Sequence, residues 1–286
     1  MPLHHPVRTM LFVPGNKARM LAKARTLPAD AVILDLEDGV PPGEKRAARA
    51  TLRRALETGR YGPQVILRIN AFSTSLAEDD LQEAFAPGVD AVCLPKAETA
   101  TDVERLARLL TALEEERGLS VGSLSICLMV ETAQGVLHAY EMAQASRRVQ
   151  ALCLGGEDLA RDLGAVRSKG GEELAHSRAQ MLLAARAAGV WAIDTIWTDL
   201  TDTDGLHAEA RQARYMGYSG KLIVHPAQIE PVHRAFAPTP EEIAYARRVL
   251  AAFEAAEAQG SGVIALDGQM IDAPVVARAR EVLASL

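Results

Sequence analysis

The chain has 286 residues, 49% apolar and 24% charged, which suits a globular protein large enough for a sizeable core. Its 31 basic and 37 acidic side chains give a net charge of −6, an argument against a general nucleic-acid binder. An anionic small ligand held by a local basic cluster is not excluded.

The opening, MPLHHPVRTM, is too short and polar for a signal peptide, and no apolar run approaches membrane-spanning length. Eight apolar runs then recur: residues 8–16, 31–40, 65–70, 91–98, 125–132, 152–159, 191–197 and 221–229. Each is almost continuously apolar, as strands buried on both faces of a parallel sheet are. Cys93, Cys127 and Cys153 all lie inside such runs, so they read as buried thiols of a reducing cytoplasm; their spacing fits no zinc motif.

Helical segments separate the runs. Thr101 and Glu104 have capping-box spacing ahead of Leu106, Leu109, Leu110 and Leu113, and Gly118 stops that helix. Leu174, Met181, Leu182 and Ala185 form an apolar stripe closed by Gly189. Thr239, Pro240 and Glu242 open an Ala-rich helix that ends near Gly260. The segment 263–274 reads as an ordered turn before a short helix from about Pro274.

Strands alternating with helices in this way predict an α/β fold, a (β/α)8 TIM barrel over residues 1–229 with a C-terminal helical extension over 230–286. An open doubly wound sheet is the rival, but no GxGxxG or P-loop supports it.

A barrel of this kind keeps its active site at the C-terminal strand ends. Two runs end there in acids: Glu131 in one, Glu157 and Asp158 in the other. Buried carboxylates cost free energy unless a cation or hydrogen bonds compensate. Glu131 and Asp158 are therefore candidate ligands of a hard divalent metal such as Mg²⁺, and Mn²⁺ suits the same oxygens. Arg68 either pairs with a neighbouring acid such as Glu37 or presents a fixed guanidinium to a carboxylate or enolate oxygen. Lys96 has the same two readings. Glu37 and Asp38 are placed to orient Arg68 or metal-bound water, and Asp35 reads as a hydrogen-bonding structural acid. Asp194 and His225 complete the polar ends; a histidine before Pro226 is more often structural than catalytic. Lys17, Arg19, Lys23 and Arg25 are a solvated helix face or a phosphate-gripping patch. The Gly-rich basic segment 164–171 has the make-up of a loop able to close over a ligand.

The motifs RTMLFVPGN, ILDLEDGV, LRIN, LPKAE, MVET, GGEDLARDLG and GYSGKLIVHPAQI, in this order, resemble the citrate lyase β-subunit-like family of the malyl-CoA lyase and metal-dependent keto-acid aldolase group. The resemblance spans residues 8 to about 275. It implies a cytoplasmic enzyme, usually a homotrimer, with Mg²⁺ on Glu131 and Asp158 and a substrate-binding arginine at Arg68. It places Arg19, Lys23 and the segment around Phe12 against CoA. Phe12 stands where some relatives carry Tyr. Asp272 resembles a catalytic acid/base on a C-terminal lid, often presented to a neighbouring subunit. The implied reaction is cleavage or formation of a 3-hydroxyacyl-CoA, such as malyl-CoA or citramalyl-CoA, with acetyl-CoA and a 2-keto acid as the other side. Hydrolysis of the product thioester, giving malate synthase activity, is a variant. The alternatives are a β subunit working on a citryl-carrier-protein thioester inside a citrate lyase complex, and a non-catalytic barrel scaffold.

Overall fold

The computed structural model describes residues 7–257 and 263–285. Among these, eight parallel strands close into a barrel in sequence order. They are β1 (Thr9–Pro14), β2 (Ala31–Asp35), β3 (Gln64–Arg68), β4 (Ala91–Leu94), β5 (Ser125–Val130), β6 (Val149–Leu154), β7 (Trp191–Asp194) and β8 (Gly220–Ile223). The helices are α1 (Ala18–Ala24), α2 (Lys45–Thr58), α3 (Ala77–Ala84), α4 (Ala100–Glu116), α5 (Ala133–Leu137), α6 (Ala139–Gln144), α7 (Gly156–Asp162), α8 (Ala175–Ala188), α9 (Thr203–Met216), α10 (Ile229–Phe236), α11 (Pro240–Glu257) and α12 (Ala273–Ala284). None is long and apolar enough to cross a membrane.

The alternation of side chains along each strand divides the core in two. Inward positions build a slim axial cluster of small or pliable residues, including Met10, Ala31, Ile33, Ile66, Cys93, Cys127, Met129, Ala151, Cys153 and Ile193. Outward positions such as Leu11, Val32, Leu34, Leu67, Leu128 and Leu152 join the helices in the larger cluster. The three cysteines are free and buried on the axis side.

Several boundaries differ from the sequence reading. The cap of α4 is Thr99 with Asp102, two residues earlier than Thr101 with Glu104; both reciprocal capping bonds form. The sixth strand runs from Val149 to Leu154, so Asp158 belongs to the first turn of α7 and not to a strand end. The closing glycine of α8, Gly189, adopts the left-handed conformation as expected. Thr239 caps α11, exchanging hydrogen bonds with Glu242 at 2.8 and 3.2 Å. The expected end of that helix, near Gly260, lies outside the described residues.

The chain falls into two compact units, one ending at Phe236 and the other starting at Ala237. The division drawn from sequence came after residue 229, but α10 packs on α9 and goes with the barrel unit. In the second unit, α11 and α12 share a small core of Ala246, Val249, Ile271, Val276 and Ala279. Its 263–274 segment is a hairpin rather than a turn: β9 (Ile264–Leu266) pairs antiparallel with β10 (Gln269–Ile271). Asp267 and Gly268 connect them with φ of 52° and 76°. Two successive positive φ angles are what a tight hairpin turn requires, and Asp-Gly supplies them.

Candidate active site

The mouth of the barrel is built by side chains that continue the inward parity of their strands. Phe12, Asp35, Arg68 and Glu131 each stand two residues after an axial residue: Met10, Ile33, Ile66 and Met129. All four line a cavity of about 340 Å³ together with Asp38, Gly155, Gly156, Asp158, Thr195 and Ile196.

Asp35 is the anchor. Its carboxylate accepts from the backbone N–H groups of Glu37 and Gly39, both at 2.8 Å. It also takes the Nε and Nη2 edge of Arg68 in a fork with two 2.7 Å bonds. A side chain at Gly39 would collide with this carboxylate, so the glycine is needed for the close approach. Arg68 Nη1 lies 3.1 Å from Glu37 Oε2, and the guanidinium stacks on Phe12 at 4.6 Å from the ring centre. The ion pair with Glu37 expected from sequence is therefore present, and the bidentate edge that sequence reading offered to a substrate is used by Asp35. Only the Nη1–Nη2 end of Arg68 is left for a ligand oxygen. Burial opposes its charge, but Asp35 and Glu37 outweigh burial and raise the guanidinium pKa further.

Lys96 follows the end of β4 and bonds two acids at once. Its backbone N–H donates to Glu131 Oε1 at 2.7 Å, and its ammonium pairs with Glu37 and lies 3.6 Å from Asp38 Oδ2. Burial pushes Glu37 up despite Arg68 and Lys96.

Glu131 is 2% exposed. Burial, with Glu37 and Asp158 adding, pushes its carboxyl up to about 8, against the pull of Arg68 and Lys96. The loop between β6 and α7 lies directly against it: a Cβ on Gly155 would sit 2.5 Å from Glu131 Oε2. Thr195 Oγ1 accepts from Gly156 N–H at 3.0 Å and ties the start of α7 to the end of β7. Asp158 then faces the cavity, answered by the exposed Arg161 at 2.7 Å. Glu157 also lines the cavity, but its carboxylate accepts from Arg167 Nε at 2.8 Å.

Three buried carboxylates (Asp35, Glu37 and Glu131) thus meet two cations, Arg68 and Lys96, while Asp38 and Asp158 add negative charge at the rim. Among the described residues, no group of three or more His, Cys, Asp or Glu is arranged as a self-sufficient metal cage. Two carboxylates with space beside them fit Mg²⁺ well, because that ion retains water and substrate oxygens in its shell.

A second cavity, of about 430 Å³, shares Phe12, Pro14 and Val224 with the first. Arg19 and Lys23 from α1, with His225, line it. The His225 ring accepts from Ala227 N–H at 3.1 Å, which is a capping role. Arg25 is directed elsewhere, onto the Tyr61 ring and the Ala55 carbonyl. The basic loop is tethered: Arg167 reaches Glu157 and Glu173, and Lys169 reaches Asp199 and Asp202.

Asp194 does not join the mouth. It is buried on the outer side of the barrel with Arg178, Lys221 and Glu209. Asp272 belongs to the second unit, where it caps α12 by accepting from Val275 N–H at 3.3 Å. Sequence reading overlooked Gly39, Gly155, Gly156 and Thr195. The paired glycines after β6 were the available signal, since close backbone approach to another group is a common reason for glycine at a strand exit.

Known proteins resemble this chain over nearly its whole length. Citrate lyase subunit beta of Leuconostoc mesenteroides subsp. cremoris is 42% identical over 277 residues, covering 96% of this chain and 92% of that protein. A (3S)-malyl-CoA thioesterase of Cereibacter sphaeroides is 42% identical over 282 residues, covering 98% and 94%. The crystal structure of CitE from Mycobacterium tuberculosis in complex with magnesium, acetoacetate and coenzyme A matches with a TM-score of 0.82 and 36% identity over 97% of each chain. The model of the HpcH/HpaI aldolase/citrate lyase family matches residues 8–226, the span of the barrel strands and their polar exits, and the chain belongs to that family.

Proposed function

We propose that the protein is a Mg²⁺-dependent carbon–carbon lyase that cleaves or forms a 3-hydroxyacyl-CoA, with acetyl-CoA and a 2-keto acid on the other side of the reaction. Malyl-CoA (with glyoxylate) and citramalyl-CoA (with pyruvate) are the substrates of choice. The observation that carries this reading is the excess of carboxylate at the mouth, Glu131 and Asp158 beside Arg68, next to a cavity edged by Arg19 and Lys23. Magnesium and coenzyme A in the related CitE crystal structure support it.

Glu131 and Asp158 would hold the Mg²⁺, which when bound would supply Lewis-acid polarisation of the keto-acid oxygens. The chain's own groups do the rest. The free end of Arg68 stabilises the thioester enolate oxygen, a charge that exists only near the transition state. Asp35, Glu37 and Phe12 hold that guanidinium still. In cleavage, the 3-hydroxyl loses its proton to solvent, its oxygen becomes the keto oxygen, the C–C electron pair passes to the acetyl unit, and the resulting enolate carbon takes up a proton. We assign proton transfer at the acetyl carbon to Asp272, a role typically worth about 10²–10⁴ in rate. Arg19, Lys23 and the His225 edge accommodate the CoA portion. We place the enzyme in the cytoplasm as a homotrimer; Mn²⁺ is a functional substitute.

The citrate lyase names of relatives favour a second reading, in which the chain works on a citryl-carrier-protein thioester inside a complex. The thioesterase relatives make hydrolysis of the CoA ester a further step to assay.

The test is cleavage of malyl-CoA and citramalyl-CoA by purified protein, with the keto acid trapped as its hydrazone and EDTA as control. EDTA-sensitive cleavage supports the free-standing lyase, and the faster substrate names it. Silence on both esters, with metal bound, rejects it in favour of the carrier-protein reading. Asp272→Asn is expected to bind CoA esters without turning them over; normal turnover removes Asp272 from the mechanism.

A further inference from the structure

Lys96 has a backbone that its residue type does not favour. Its φ is +50°, and among the described residues the only other non-glycine at positive φ is Asp267, explained by its hairpin turn. No hairpin explains Lys96, which follows Pro95 at the exit of β4. A left-handed conformation in a lysine persists only where surrounding structure enforces it, and such residues cluster at functional sites.

The consequence of that conformation is visible at Glu131. The Lys96 N–H makes the only hydrogen bond to the Glu131 carboxylate among the described residues, on Oε1. Oε2 is left on the side of Gly155, in the loop that leads to Asp158. The side chain of Lys96 is occupied elsewhere, on Glu37 and near Asp38. Glycine would give the backbone freely but no ammonium; a right-handed lysine, with β4 and the chain into α4 both fixed, would have to rotate the 95–96 peptide and with it the amide that Glu131 accepts from.

We propose that Lys96 is a positioning residue whose left-handed backbone aims Glu131 at the metal, while its ammonium independently neutralises Glu37. The proposal rests on Glu131 being a metal ligand, and the two ideas fail differently. Three variants separate backbone from charge. Lys96→Met keeps the backbone demand and removes the charge. Lys96→Gly removes the charge and relaxes the demand. Lys96→Val removes the charge and opposes positive φ most strongly, because its side chain is β-branched. Lys96→Thr, also β-branched, serves if the valine variant does not fold.

The experiment is titration with Mn²⁺, following free ion by electron paramagnetic resonance, with circular dichroism to confirm folding. Wild type is expected to bind and Glu131→Gln to lose binding; an inert wild type overturns the metal assignment itself. Lys96→Gly and Lys96→Met are expected to bind Mn²⁺ at least as tightly as wild type, since a nearby positive charge has been removed. Lys96→Val is expected to bind about tenfold more weakly or worse, the usual cost of losing a group that orients a ligand, and Lys96→Thr likewise. Equal affinity across Gly, Met and Val overturns the backbone role. Weakening of Gly and Met to the level of Val overturns it as well, and assigns the effect to the ammonium.

Discussion

Glu131 and Asp194 both stand at the C-terminal end of a barrel strand, and both carry a carboxylate into the protein, yet they meet opposite fates. Asp194 stands next to the axial Ile193, so alternation turns it outward, under the helices. There Asp194 and Glu209 face Arg178 and Lys221, two acids against two bases, with every contact between 2.5 and 3.1 Å. Lys221 is fully buried, and its ammonium also reaches the Thr195 carbonyl. Glu131 stands two residues past the axial Met129, so alternation turns it toward the mouth. Its neighbours hold more carboxylates than cations, and a cavity opens beside them. One network is balanced within itself; the other leaves carboxylate in excess beside a cavity.

This contrast can be broken by substitution. The largest effect is expected at the open network. Glu131→Gln or Asp158→Asn should cut metal-dependent turnover by roughly a thousandfold or more, several kcal/mol of catalysis, with the far-ultraviolet spectrum unchanged. Normal turnover in either variant would remove that side chain from the metal. At the closed network the loss should appear in stability. Glu209→Gln leaves two buried cations to one carboxylate and should cost about 3–5 kcal/mol in denaturant unfolding, without altering Mn²⁺ affinity of the folded protein. A variant as stable as wild type would mean that water reaches the cluster. Arg68→Lys should lose about a hundredfold in kcat, since an ammonium cannot keep the fork to Asp35 while offering a planar end to substrate. Near-full activity would make Arg68 purely structural.

The smallest effect sharpens what a closed pair does with pH. Burial works against the Glu114 charge, but Arg148 and the amides of Gly122 and Leu124 hold its carboxyl down at about 2. A depressed native pKa contributes stability that is present above the ordinary value of 4.5 and lost as pH falls through about 2. Glu114→Gln should therefore flatten the fall in stability across that window, measured by urea unfolding at stepped pH. An unchanged slope would show that other carboxylates dominate acid unfolding.

The parallel barrel was readable because buried strands are near-continuous apolar runs, and the acids that end them at 131 and 158 drew attention to a metal. Strand limits were harder, since an apolar run does not stop where the hydrogen-bonded ladder stops. Residues 152–159 look like one segment but hold the end of β6, a Gly-Gly bend and the start of α7. At the start of α4, Thr99 with Asp102 and Thr101 with Glu104 have the same spacing, and pattern alone does not choose. Asp194 was misplaced for a different reason. Counting strand ends ignores parity, whereas its neighbour Ile193 already marked the inward side. The Asp35 fork on Arg68 joins adjacent strands, and that pairing depends on register, which local pattern does not carry.

The axial cysteines make the barrel its own reporter. Burial raises the Cys127 thiol to about 12 and drives Cys93 and Cys153 upward too, so the folded chain holds almost no thiolate at neutral pH. Alkylation must wait for the strands to part. Because the three sit on the consecutive strands β4, β5 and β6, the order in which they label would trace how that flank of the barrel, including the strand that leads into Glu131, comes undone.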